Sequence, residues 1–193
     1  MKKIMLIVSL VCVTASVGLA QANPDVYYAR RVSHFETLPI TGDDIIMLGN
    51  SLTDGAEWHE LLNNPHVKNR GIIGDIVQGA IERIGPILSG QPRKLFILCG
   101  VNDVSHGVSG DSIARVMETL IGLVKQFYPH LASVRGLGTA KATTLYDVTW
   151  INLYPLFDDG TGHLKAELTN DGLHLMGEGY LIWRDTIQPY VDK

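Results

Sequence analysis

Ile45-Ile46-Met47-Leu48-Gly49-Asn50-Ser51-Leu52-Thr53 runs from an unbroken apolar tetrad through a glycine into a polar turn. Four apolar residues without alternation fit a strand covered on both faces, the pattern of a parallel sheet. Gly49 ends the strand, and 53–62 follows as a helix candidate with Trp58, Leu61 and Leu62 facing inward. The same unit recurs downstream. A second strand lies within 67–73, followed by a helix over 76–88 whose Val77, Ala80, Ile81, Ile84 and Leu88 form one stripe. Leu95-Phe96-Ile97-Leu98-Cys99 is the third strand, closed by Gly100, and 111–127 is an amphipathic helix capped by Asp111 or Ser112. A last strand over 148–153 precedes a last helix over 179–190, and a helix over 25–38 precedes the first strand. Strands alternating with amphipathic helices predict an α/β fold, three-layer α/β/α with a flavodoxin-like parallel sheet.

The whole chain has 193 residues, 46% hydrophobic and 19% charged, with a formal net charge of −4. That length fits one domain. The acidic balance argues against a nucleic-acid face, and two cysteines exclude a disulfide-dense scaffold or a thiolate zinc site. Lys2 and Lys3, the apolar run Ile4 to Ala20, and Ala20-Gln21-Ala22 have the order of a secretory signal peptide cut after Ala22. The expected organisation is therefore a signal peptide over 1–22 and a single domain over 23–193, exported to the periplasm or beyond the cell. The run is at the short limit for a bilayer span, so no lasting membrane insertion is expected after cleavage. Loss of Lys2 and Lys3 makes the mature chain more acidic than −4, and loss of Cys12 leaves Cys99 alone, so no internal disulfide can form.

In such sheets the chemistry lies beyond the carboxyl ends of the strands. There the sequence places Ser51, then Arg70-Gly71-Ile72-Ile73-Gly74-Asp75, then Gly100-Val101-Asn102-Asp103, and finally Asp171-Gly172-Leu173-His174. A hydroxyl, glycine amides, a carboxamide, a carboxylate and an imidazole are what acyl transfer needs. The imidazole takes the serine proton, the carboxylate fixes its tautomer, and fixed donors hold the oxyanion of the tetrahedral intermediate.

These four blocks resemble the SGNH hydrolases, also called GDSL esterases, from Asp44 to about Tyr128 and again from Thr149 to Pro189. The resemblance implies Ser51 as nucleophile, His174 as base with Asp171 as its acid partner, and an oxyanion hole of Ser51, Gly74 and Asn102. It implies no metal and no cofactor. It implies an exported serine esterase acting on short-chain, acetyl-type esters, such as O-acetyl groups on carbohydrates like sialic acid. The family also holds lysophospholipases and thioesterases, and a non-catalytic carbohydrate-binding or damaged member is the competing class.

Two departures stand out. Asn50 replaces the usual aspartate before the serine. The connection 129–148 is about twenty residues, short for the strand and helix that family members carry there, since a parallel crossover alone needs about a dozen. Within it, 130–137 can supply a strand. Otherwise part of one strand–helix unit is missing, the edge of the third strand is left open, and His174 is displaced from Ser51.

Other residues read more plainly. Asp75 is expected to cap the helix that follows it, and Asp103 to tie loops together. Trp58 lines the pocket or sits in the core. Cys99 is expected to be an inert core residue. His34, His59, His66, His106, His130 and His163 follow no metal-ligand spacing. Asp158-Asp159-Gly160 is expected to be a turn, lacking calcium-loop spacing.

Overall fold

The structure, a computed structural model, describes residues 24–127, 134–136 and 149–192. Residues 1–22, expected above to be a signal peptide, with Cys12, and His130 and most of the 129–148 connection lie outside the described residues. Strand β1 (Ile45–Gly49) is buried along its whole length. Its alternate residues feed two cores. Ile46 and Leu48 pack with Val77, Ala80, Leu120 and Val124 on one face, and Ile45 and Met47 pack with Trp58, Leu62, Trp183 and Ile187 on the other. The period of two along a strand sends successive side chains to opposite faces, so a wholly apolar strand demands a helical layer on each side.

Beside β1 run β2 (Val67–Gly71) and β3 (Lys94–Leu98), both parallel, with Ile45 opposite Val67 and Lys94. Then come β4 (Val134–Gly136) and β5 (Thr149–Trp150). The order is β2-β1-β3-β4-β5, that of the flavodoxin-like doubly wound sheet. The expected α/β/α class is therefore met. Strand β4 pairs with β3 on one side (Leu95 with Val134, Ile97 with Gly136) and with β5 on the other (Arg135 with Thr149, Gly136 with Trp150). The short connection thus does supply its strand, and the edge of β3 is covered. The last strand is shorter than expected, ending at Trp150 rather than Leu153.

The helices are α1 (Pro24–Thr37), α2 (Ser51–Asp54), α3 (Trp58–Leu61), α4 (Val77–Glu82), α5 (Gly85–Gly90), α6 (Val101–Ser105), α7 (Gly110–Phe127), α8 (Tyr154–Phe157) and α9 (Gly177–Val191). Two expected helices are each split. The 53–62 helix breaks because its carbonyls are taken by side chains: Asn69 Nδ2 donates to the carbonyls of Thr53, Asp54 and Ala56, and Trp58 Nε1 donates to Thr53 O at 2.8 Å. The 76–88 helix breaks before Gly85-Pro86, where the proline has no N–H to give and its ring crowds the preceding turn. The cap of α7 is Ser109, not Asp111 or Ser112; its Oγ accepts from Ser112 N at 3.3 Å. Helix α1 buries little more than Phe35, and Val26 is 51% exposed. Among the described residues no helix is long and apolar enough to cross a membrane.

Candidate active site

Ser51 opens α2 directly after β1. Asn50 is the N-cap, fully buried, with its Oδ1 accepting from Leu52 N at 3.1 Å. An asparagine therefore makes this turn as an aspartate would, but its Nδ2 finds no partner among the described residues. Ser51 is 8% exposed, at the floor of the site.

The last block reaches Ser51 across the sheet edge. Thr169 and Leu175 form an antiparallel bridge that closes the loop, and Gly172 turns it with φ +82°. Inside the loop Asp171 Oδ1 accepts from Leu173 N (2.9 Å) and His174 N (2.8 Å), while Oδ2 meets His174 Nδ1 at 2.6 Å. His174 Nε2 lies 2.9 Å from Ser51 Oγ. A carboxylate only accepts, so Nδ1 carries the proton and Nε2 presents a lone pair to the hydroxyl. The His174 ring donor, with the His174 and Leu173 amides behind it, holds the Asp171 carboxyl well below the usual carboxylate range.

The second block forms the opposite wall. Asp75 N donates to Ile72 O at 3.2 Å, and Gly74 sits in that turn with φ +80°, a conformation that favours glycine. Asn102, on α6, donates from Nδ2 to Asp75 O at 2.8 Å. One amide hydrogen is thereby anchored on a backbone carbonyl. Asp103 is buried and its Oδ2 accepts from Val77 N at 3.2 Å, tying the third block to the start of α4 as expected.

Asp75 does not cap α4; that amide belongs to Asp103. Its carboxylate instead meets Arg83, with Oδ2 accepting from Nε (2.8 Å) and Nη2 (2.6 Å), and Oδ1 accepting from Ile76 N (2.9 Å). Burial pushes the Asp75 carboxyl up, and Arg83 pulls it back. Arg83 also donates to Arg70 O (2.9 Å) and Gly49 O (3.0 Å), so one buried guanidinium joins the ends of β1 and β2 to the Gly74 turn. The sequence reading overlooked Arg83, which lies off the apolar stripe of the expected 76–88 helix and so carried no signal of burial.

The remaining side chains fall outside this set. Trp58 is fully buried and packs edge-on to Trp183 at 4.8 Å, which places it in the core. Cys99 is buried, and burial pushes its thiol up to about 12. His34, His59, His66, His106 and His163 are exposed. Asp158 and Asp159 accept from the amides of Gly162 and Thr161, which makes 158–162 the expected turn.

No family model and no curated protein matches the sequence, whereas solved structures match the fold. A Streptococcus pneumonia protein provisionally named for platelet activating factor superposes with TM-score 0.73 at 22% identity, over 87% of this chain and 92% of its own. A GDSL-like lipase from Bacteroides thetaiotaomicron gives TM-score 0.69 at 19% identity, over 86% and 97%. A psychrotrophic esterase from Pseudoalteromonas, inhibited in its structure by monoethylphosphonate, gives TM-score 0.61 at 19% identity, over 78% and 100%. The chain shares the α/β fold of GDSL-type lipolytic hydrolases.

Proposed function

We propose that the protein is a serine esterase of the SGNH (GDSL) type, exported by cleavage of residues 1–22. The observation that carries this reading is the continuous chain Asp171 Oδ2–His174–Ser51 Oγ, with contacts of 2.6 and 2.9 Å. It is supported by a shared fold with lipolytic enzymes. Ser51 Oγ attacks the ester carbonyl carbon as its proton passes to His174 Nε2. The carbonyl oxygen becomes an oxyanion held by the Ser51 and Gly74 amides and the free hydrogen of Asn102 Nδ2. The bond to the alcohol oxygen then breaks, and His174 returns the proton to that oxygen. Water repeats the sequence on the acyl-serine and releases the acid. Asp171 keeps the imidazole oriented and stabilises it while it is charged.

A non-catalytic binding domain has no use for a hydroxyl aligned on an oriented imidazole. The test is hydrolysis of p-nitrophenyl acetate by the purified protein and by Ser51→Ala. Turnover should fall about 10⁴-fold or more, because triad members act as a unit. Equal rates would remove Ser51 from the chemistry. Among substrates, a carbohydrate O-acetyl ester such as that on sialic acid rests on the sequence resemblance and on export. The lysophospholipase or thioesterase reading is favoured by one observation, a largely apolar cavity lined by Leu52, the residue after Ser51.

A further inference from the structure

That cavity measures about 460 Å³. Its inner end is walled by Leu52, Val101 and Leu173, each the chain neighbour of a site residue: Ser51, Asn102 and His174. The rest of its lining, the outer wall, includes Phe157 of α8, Leu164 and Trp183 of α9. The outer wall is pre-formed. Leu164 bridges back to Asp158, Lys165 N donates to Phe157 O at 2.9 Å, and the carboxylates of Asp158 and Asp159 hold the intervening turn. The cavity is open to solvent, and Tyr154 on its lining is 60% exposed. Of the polar side chains that reach the cavity, Asp158 Oδ1 accepts from Gly162 N, His163 Nδ1 meets Thr161 Oγ1 at 3.0 Å and Asn152 Oδ1 accepts from Tyr154 N at 3.2 Å, while the buried Trp150 Nε1 has no partner among the described residues. Most of the lining is apolar, so a sugar ring would find few partners for its hydroxyls there.

Resting on the serine-esterase reading, we propose that this cavity is the acyl pocket and that it receives a linear chain of roughly six to ten carbons, within the size range of small-molecule pockets. Leu52 and Val101 adjoin the groups that hold the carbonyl, so the substituent on the carbonyl carbon is the part of the ester that lies against them. An acetyl methyl occupies on the order of one water volume, about 30 Å³. It would leave most of this apolar space to water. Each further methylene buried there should raise kcat/KM about three- to fourfold until the chain meets the outer wall.

The experiment is a series of p-nitrophenyl esters, acetate through decanoate, each below its micelle concentration, on the full protein and on Leu164→Trp and Leu164→Ala. In the unaltered protein kcat/KM for octanoate should exceed that for acetate at least tenfold. Leu164→Trp, which fills the outer end, should lower that ratio at least tenfold, and Leu164→Ala should move the optimum to a longer chain. A ratio is internal to each protein, so partial loss of folded material does not mimic the effect. Acetate as the best substrate, or ratios unmoved in both variants, overturns the inference alone. No hydrolysis of any ester, with no labelling of Ser51 by a p-nitrophenyl phosphonate, overturns the esterase reading and this inference with it.

Discussion

Asn102 gives one amide hydrogen to Asp75 O, which fixes its carboxamide plane; in the proposed esterase the other hydrogen serves the oxyanion. Such preorganised donors act most on the transition state. Asn102→Ala should therefore lower kcat by about 10²–10³ with little change in KM, whereas an effect on KM alone would make Asn102 a ground-state binding residue. Asp171 invites a test by pH. Its carboxyl is held below the ordinary value near ~3.9, so it stays anionic while unfolded-state carboxylates take up protons. The depressed pKa contributes stability that is present above that ordinary value and is lost as pH falls through the folded one. Across the acidic limb of kcat/KM the orienting bond to His174 therefore persists. Asp171 should contribute no proton uptake to that limb, and a slope of two would show Asp171 titrating within it.

Arg83 works between elements. It is buried with Asp75, and it supplies hydrogens to two strand-end carbonyls, Gly49 and Arg70. Removing one partner of a buried pair leaves an uncompensated charge and costs about 3–5 kcal/mol. Arg83→Met should show a loss of that order in urea unfolding, and adding Asp75→Asn should recover part of it; full stability in the single variant would mean the pair contributes nothing. The same element scale shows where periodicity misled. Both split helices carry a continuous helical stripe in sequence. What ends them is, in one, a side chain from β2, Asn69, that takes the carbonyls of the next turn. In the other it is Pro86, a local signal that was legible and outweighed by the stripe. Helix α6 is a single turn around Asn102, too short for any period to register.

Across the whole molecule, the five-stranded order sets Ser51, Gly74 and Asn102 at the carboxyl ends of β1, β2 and β3 around the switch point of the sheet. His174 arrives from beyond β5. Export is tested at this scale. Mass spectrometry of the secreted protein should find Asn23 as the first residue, and Met1 on a membrane-bound product would reverse the proposal. The α/β/α layers were legible because β1 and β3 are apolar on both faces, a pattern that only a doubly covered strand satisfies. The segments holding Ser51, Gly74 and Asn102 were legible for a related reason: in a parallel sheet the stretch just after a strand lies at the carboxyl edge, so sequence position carries spatial meaning. Asp171 and His174 lie well past β5, and they, like the choice of Gly74 and Asn102 within their segments, came from the resemblance of the four blocks. Tertiary structure decided the rest. Whether His174 reaches Ser51 depended on β4 filling the gap between β3 and β5; sequence left 130–137 open to a strand, but a three-residue strand is too short for sequence to show that it pairs. The Arg83 hub gathers groups from 34 positions upstream to its own turn, and the acyl pocket gathers walls from α2, α6, α8 and α9. Partners so far apart in the chain share no local pattern; they meet only when the sheet closes and the helices dock.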